Sequence, residues 1–196
     1  GVNEVVFGSH DGGLYVISLI GTQKMAYFQD GYIVGSPALF DLDYDGDMEI
    51  IFTTQLGVDS GKLFAIHHDG TDMEGFPIEL NERMMVGPAI GDLEKDGVVD
   101  IVVCTWDENI YAIEKSGQVK PGFPFTSTRR FNSAPTLADI DNDGDLEILA
   151  GNDYGLLHIL NHDASELTSF DTGDDIRGGI SVSDINNDGS YEILFT

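Results

Sequence analysis

Apolar residues come along this chain in short bursts, too short and too evenly spaced for helices. Residues 49–53 (EIIFT), 100–104 (DIVVC) and 147–151 (EILAG) are each followed, after a polar turn, by a second run at 61–66 (GKLFAI), 109–113 (NIYAI) and 155–159 (GLLHI). Runs of this length bounded by turn residues read as β-hairpins. A further turn at 68–70 or 115–117 leads to 75–78 (GFPI) or 122–125 (GFPF). That is an outer strand, where proline is tolerated because an edge does not need every amide. A small-residue strand enters each hairpin at 35–39 (GSPAL), 86–90 (VGPAI) and 133–137 (SAPTL).

Apolar side chains fall on both faces of residues 63–66, so each small sheet has to be covered on both sides. Sheets stacked around an axis achieve this. The fold class read from the pattern is all-β, a β-propeller built from four-stranded blades of about 47 residues. A two-sheet sandwich would explain the strands but not their even spacing. The whole chain, 1–196, reads as one propeller domain or propeller segment. Its blades fall at about 1–30 (partial), 31–81, 82–128, 129–172 and 173–196 (partial). Residues 4–17 align with 147–159, so the pattern has three complete blades, three strands of another at the front and two at the back. Both ends carry the same element, EVVF at 4–7 and EILF at 192–195, which leaves one second strand too many for simple closure. An open arc is expected, pairing with a second copy or with the remainder of a longer propeller. The alternative is a closed ring of four blades.

Between the entry strand and the hairpin lies an acidic loop, present four times with first aspartates 51, 47 and 45 residues apart. The first loop holds Asp41, Asp43, Asp45, Asp47 and Glu49. The second holds Asp92, Glu94, Asp96, Val98 and Asp100. The third holds Asp139, Asp141, Asp143, Asp145 and Glu147. The fourth holds Asp184, Asn186, Asp188, Ser190 and Glu192. Oxygens at positions 1, 3 and 5 of a tight loop converge on one point, and Ca²⁺ takes roughly 6–8 oxygens. Glycine at position 6 (Gly46, Gly97, Gly144, Gly189) permits the positive φ of the bend. Position 7 would offer its main-chain carbonyl and position 9 a carboxylate. Up to four Ca²⁺ are expected. An EF-hand needs glutamate at position 12, where this chain has Phe52, Val103, Ala150 and Phe195.

Composition sharpens the picture. The formal net charge is −26, which argues against nucleic acid as a partner, because phosphate binding needs basic surface. Seventeen of the 35 acidic residues sit in the four loops, so metal would neutralise charge where it is densest. No apolar run approaches the ~18 residues of a membrane span, and no membrane insertion is expected. Cys104, the single cysteine, reads as a small buried hydrophobe. The amino end, Gly1-Val2-Asn3-Glu4, resembles an internal cut or a mature start, so an extracellular or cell-surface setting is inferred from calcium use alone.

The D-x-D-x-D-G-x-x-[DE] loops, Phe7-Gly8 after a second strand, and Gly87-Pro88 or Ser133-Ala134-Pro135 before a loop resemble FG-GAP repeats. Such repeats build the integrin α-subunit propeller, and related VCBS repeats occur in secreted bacterial proteins. The G-F-P segments are nearer the bacterial branch. The resemblance implies calcium between the first and second strands of a blade, on the face opposite that normally used for ligands. Glu94, Asn186 and Ile180, the last standing where the family has proline, depart from the pattern.

No Ser-His-Asp signature, zinc spacing or phosphate-cradling glycine loop is visible. His67 and His68, adjacent on a strand, point to opposite faces and are not expected to share a metal. His158 alternates with core residues. The candidate ligand surface is the set of turns joining second to third strands: His10 and Asp11, residues 55–60, Trp106, Asp107 and Asn109, and Asn152, Asp153 and Tyr154. Trp106 and Tyr154 among acids and amides could stack on a sugar or grip a protein, or Trp106 could fill a junction between blades. The function expected is a noncatalytic calcium-binding module of an extracellular protein, serving adhesion or recognition of a protein or glycan ligand. The alternatives are the propeller portion of a secreted calcium-dependent polysaccharide lyase or hydrolase, and a rigid spacer.

Overall fold

The computed structural model describes residues 3–57 and 60–196, and its regular structure is entirely β-strand. Val58 and Asp59, in the 55–60 connector, lie outside the described residues. No helix among the described residues is long and apolar enough to cross a membrane. The residues fall into two compact units, one running up to Pro88 and including Lys115–Gly117, the other comprising Ala89–Glu114 and Gln118–Thr196.

In the first unit, β1 (Glu4–Gly8), β2 (Gly13–Ser18) and β3 (Gln23–Phe28) form a three-stranded antiparallel meander. It is followed by a four-stranded one, β4 (Ala38–Phe40), β5 (Glu49–Leu56), β6 (Ser60–Ile66) and β7 (Ile78–Glu79). Their shared core is Leu14, Ile33, Ile50, Phe52, Phe64 and Ile66. Phe52 and Phe64 are cross-strand partners with stacked rings, 4.9 Å between centroids, and Tyr27 meets both edge-on at 6.0 Å. Burying an aromatic of this kind contributes about 1.5–3 kcal/mol, and favourable ring geometry adds up to about 1.5.

The second unit repeats the meander. Its first sheet is β8 (Ala89–Gly91), β9 (Asp100–Cys104), β10 (Asn109–Glu114) and β11 (Phe125–Thr126). The next is β12 (Thr136–Ala138), β13 (Glu147–Gly151), β14 (Leu156–Leu160) and β15 (Glu166–Asp171), and the last is the pair β16 (Ser181–Ser183) and β17 (Glu192–Leu194). Every residue of β9 and β13 is buried, so both faces of these central strands are covered. Leu149, Leu157 and Ile159 pack with Ile176 and Ile180. Ile180 thus sits in the core, 6% exposed, where the resembling family has proline. The outer strands β7 and β11 begin one residue beyond Pro77 and Pro124, because proline has no amide to offer the ladder.

Two glycines at the same position of the repeat, Gly8 and Gly151, have a clear packing role. A Cβ on Gly8 would lie 2.0 Å from Ile33 Cγ2, and one on Gly151 would lie 2.3 Å from Ile176 Cγ2. In each case the missing side chain lets an isoleucine from the following segment close over the end of the strand.

Candidate functional site

The four acidic loops close the first hairpin of four sheets in one register. The residue before position 1 pairs with position 9 as Phe40↔Glu49, Gly91↔Asp100, Ala138↔Glu147 and Ser183↔Glu192. The expected glycine at position 6 has φ between 89° and 105° in all four. Position 4 is also left-handed, with Tyr44, Lys95, Asn142 and Asn187 at φ between 53° and 63°. The side-chain oxygen of position 5 accepts the amide of position 7 throughout, at 2.8–2.9 Å. The backbone frame is therefore common to the four loops, and the differences between them lie in their side chains.

In the first and third loops, one oxygen of the opening aspartate, Asp41 Oδ1 and Asp139 Oδ1, is buried without a hydrogen-bond partner. Around it, oxygens of Asp41, Asp43 and Asp45 lie within 4.8 Å of one another, as do those of Asp139, Asp141 and Glu147. Glu49 and Glu147 are fully buried. Each gives one oxygen to the amide of position 2, Leu42 or Ile140, at 2.8 Å; the other oxygen of Glu49 meets His67 Nδ1 at 3.2 Å. Burial, and the charges of Asp141, Asp143 and Asp139, push the Glu147 carboxyl above its ordinary range, although the Ile140 hydrogen bond pulls it down. Buried, unpaired carboxylate oxygens are costly, and a hard divalent cation satisfies several of them at once. The donor sets of these two loops fit calcium.

The other two loops are closed differently. In the second, Asp92 uses both oxygens on loop amides, Asp96 at 3.0 Å and Gly97 at 2.8 Å. In the fourth, Asp184 does the same with Asp188 and Gly189, at 3.1 and 2.9 Å. Asn186 there turns its Nδ2 donor toward Asp188 Oδ2 and Glu192 Oε1, at 3.0 and 3.1 Å. It places a donor where the first loop has a carboxylate oxygen. Its Oδ1 is engaged by the Asp188 amide at 2.8 Å, so reversing the amide would set two donors face to face.

Histidines flank two loops. His67 Nδ1 lies 3.2 Å from Glu49 Oε1 and 3.9 Å from Asp43 Oδ2, while His68 reaches Asp47 at 3.5 Å. The neighbours therefore serve different carboxylates. His162 meets Asp145 at 3.0 Å.

At the opposite end of the strands in the second unit are the turns expected to face a ligand. Tyr154 is 67% exposed beneath the Arg129 guanidinium, 4.8 Å from the ring centroid. Arg130 lies over Trp106 at 5.1 Å and bonds Asp153 Oδ2 at 2.5 Å. Sequence reading missed both arginines, although adjacent basic residues in so acidic a chain were a usable signal. Asn109 donates to the Asp107 carbonyl and accepts from Thr126. Asn152 requires a correction: it is fully buried and cannot touch a ligand. Its Oδ1 takes the amides of Tyr154 and Leu156, and its Nδ2 donates to Ser127 Oγ at 3.2 Å, because an asparagine opening a tight turn folds its side chain back onto that turn.

Beside Asn152 lies a constellation invisible as a motif. Ser127 Oγ is 3.0 Å from His158 Nε2, and His158 Nδ1 is 2.7 Å from Glu166 Oε1. The distances suit a nucleophile, base and orienting acid. Yet Ser127 and His158 are 7% and 6% exposed, with Phe125 and Phe131 edge-on to the imidazole. A hydroxyl enclosed in this way offers no approach to a substrate carbonyl, and the cluster serves as a polar node between β14 and the residue that follows β11.

No curated protein sequence matches the chain. The FG-GAP-like repeat family matches residues 92–150. Among solved structures, the V. cholerae biofilm matrix protein Bap1 is similar with a TM-score of 0.64 at 24% identity, over 85% of this chain and 29% of Bap1. The C-terminal domain of Pseudomonas aeruginosa PilY1 is similar with a TM-score of 0.67 at 18% identity, over 98% of this chain and 52% of that domain. BamB from Moraxella catarrhalis is similar with a TM-score of 0.62 at 18% identity, over 94% of this chain and 60% of BamB. The chain thus spans between 29% and 60% of the length of these structures, and at such identities the likeness establishes the fold alone.

Proposed function

We propose that this chain, whose residues 92–150 match the FG-GAP-like repeat family and which folds as β-propeller blades, is a noncatalytic, calcium-stabilised recognition module of an extracellular or cell-surface protein. The observation that carries this reading is the pair of buried, partnerless oxygens, Asp41 Oδ1 and Asp139 Oδ1, each inside a cluster of three ligating residues. Asp41, Asp43, Asp45 and Glu49 would hold one ion, and Asp139, Asp141, Asp143 and Glu147 another. The carbonyls of Asp47 and Asp145 would complete the shells. The fourth loop is a weaker site on this reading, since Asn186 brings a donor to it. Calcium supplies charge neutralisation here and takes part in no reaction. Extracellular modules bind Ca²⁺ at about 10⁻⁴–10⁻³ M, which suits a protein kept loaded outside the cell.

Ligand recognition falls to the opposite turns, where Tyr154 and Trp106 present aromatic surface under Arg129 and Arg130. Stacking with flanking charge fits a glycan or a protein loop. Val5 and Phe7 in β1 and Leu194 in β17 are exposed apolar residues of the partial sheets, at 45%, 40% and 46%. They fit association with a second copy or with further blades. The test is a glycan and protein array probed with calcium present, comparing the protein with Tyr154→Ala. A ligand lost in the variant at unchanged melting temperature supports the reading. Turnover of a polysaccharide by this chain overturns it.

A further inference from the structure

We propose that the second acidic loop is held by an internal cation, the Lys120 ammonium, in the place where the first and third loops would hold a divalent ion. Lys120 is 8% exposed, and its Nζ lies 2.8 Å from Asp100 Oδ2 and 3.2 Å from Glu94 Oε2, the carboxylates of positions 9 and 3. Its origin is visible in the repeat. Lys120 N donates to the Ala112 carbonyl at 2.9 Å, and Met73 N makes the same bond to Ala65 in the preceding sheet. Met73 is likewise 8% exposed. Lysine here is a methionine-like stem that carries a charge into the loop.

The loop has changed to match. Position 3 is Glu94 rather than an aspartate, with the longer reach needed to meet Nζ. Position 7 is Val98, where Asp47 and Asp145 stand in the first and third loops. Position 9 is Asp100, one methylene shorter than Glu49, Glu147 and Glu192, which leaves room for the ammonium. Asp92 has both oxygens committed to loop amides, and among the described residues the three-residue ligand clusters fall in the first and third loops. Within this loop Asp100 Oδ1 stays buried without a hydrogen-bond partner. It is the group a metal would serve better than lysine does, so calcium stoichiometry is the deciding measurement.

The proposal rests on the calcium reading of the first and third loops only for its reference sites. Bound calcium is counted by equilibrium dialysis on the full chain. Glu94→Gln is expected to bind as many ions as the parent protein, Asp141→Asn one fewer, and Lys120→Met one more. Loss of an ion in Glu94→Gln, or a folded Lys120→Met that gains none, overturns the proposal. If Lys120→Met fails to fold, the parent protein still decides by nitrogen-detected NMR of its lysine ammonium groups. A slowly exchanging Lys120 signal unchanged at saturating Ca²⁺ supports the internal cation, and its disappearance on adding Ca²⁺ refutes it. A parent protein that binds no calcium defeats the reading of the other loops, while the ammonium signal still reports on this one.

Discussion

Removing calcium should cost this protein a large and countable part of its stability. On the proposed reading the count is two strong sites, because only Asp41 and Asp139 among the four opening aspartates keep a buried oxygen free of the loop's own amides. Taking a site that binds at ~0.1 mM, as extracellular modules do, 1 mM Ca²⁺ exceeds that constant by ~10-fold and stabilises the fold by about 1.4 kcal/mol. Two sites give about 2.8 kcal/mol. For a chain of 196 residues, each kcal/mol moves the melting temperature by about 2–4 °C, so chelation should lower it by roughly 6–11 °C. The assay is thermal melting by circular dichroism in 1 mM Ca²⁺ and in excess EDTA. Asp139→Asn should show about half the response and Asp184→Asn nearly all of it. An unchanged melting curve for protein shown by elemental analysis to be metal-free refutes the reasoning. So does an Asp184→Asn variant that loses as much as Asp139→Asn.

Two further outcomes follow from local features. In EDTA, stability should rise as pH falls from 7 toward 4.5, because the folded-state pKa of Glu147 lies above its unfolded value of 4.5; the native state then binds more protons across that window, and stability declines as pH rises through it. Burial raises Asp100 in the same sense, whereas Asp69 and Asp188, which are lowered, give up their contribution only below 3.8; a melting temperature that falls steadily from pH 7 in EDTA, or a rise that survives in Glu147→Gln, contradicts the assignment. Gly151→Ala should lower the melting temperature by roughly 2–12 °C, since its Cβ would sit 2.3 Å from Ile176 Cγ2 and overpacking costs about 1–3 kcal/mol; an unchanged melt shows that Ile176 moves aside freely.

The strands and loop bends were legible because they depend on local chemistry. Short apolar runs placed β6, β9, β10, β13 and β14 to within a residue and the start of β5, which runs three residues further than the pattern, and Gly46 and Gly144 marked the positive φ that only the backbone demands. What escaped depends on residues distant in sequence. Lys120 lies 20 residues beyond Asp100, so counting carboxylates within the second loop could not show that a positive charge enters it. Asn186 read as a calcium ligand and Asn152 as ligand surface, yet both turn their amides onto neighbouring groups, because the direction of a side chain is set by neighbours that a pattern does not name. Ser127, His158 and Glu166 come from β-strands and a turn separated by 8 to 31 positions, a spacing that carries no motif.

The first three acidic loops each have a far wall in the segment after the third strand: His67 and His68 at the first, Lys120 at the second, His162 at the third. The surroundings of each of these carboxylate clusters are thus encoded in two stretches of the repeat, 18 to 20 residues apart in the first two. Duplication of a blade copies both stretches, and afterwards they are free to diverge separately. A two-nucleotide codon exchange can swap methionine for lysine in the second stretch, or a single one when the methionine codon ATG becomes AAG, and the bend that the fold requires is left untouched. Dependence on the ionic surroundings then becomes a trait that selection can adjust blade by blade, so that an array living where calcium fluctuates can keep some blades responsive and make others indifferent.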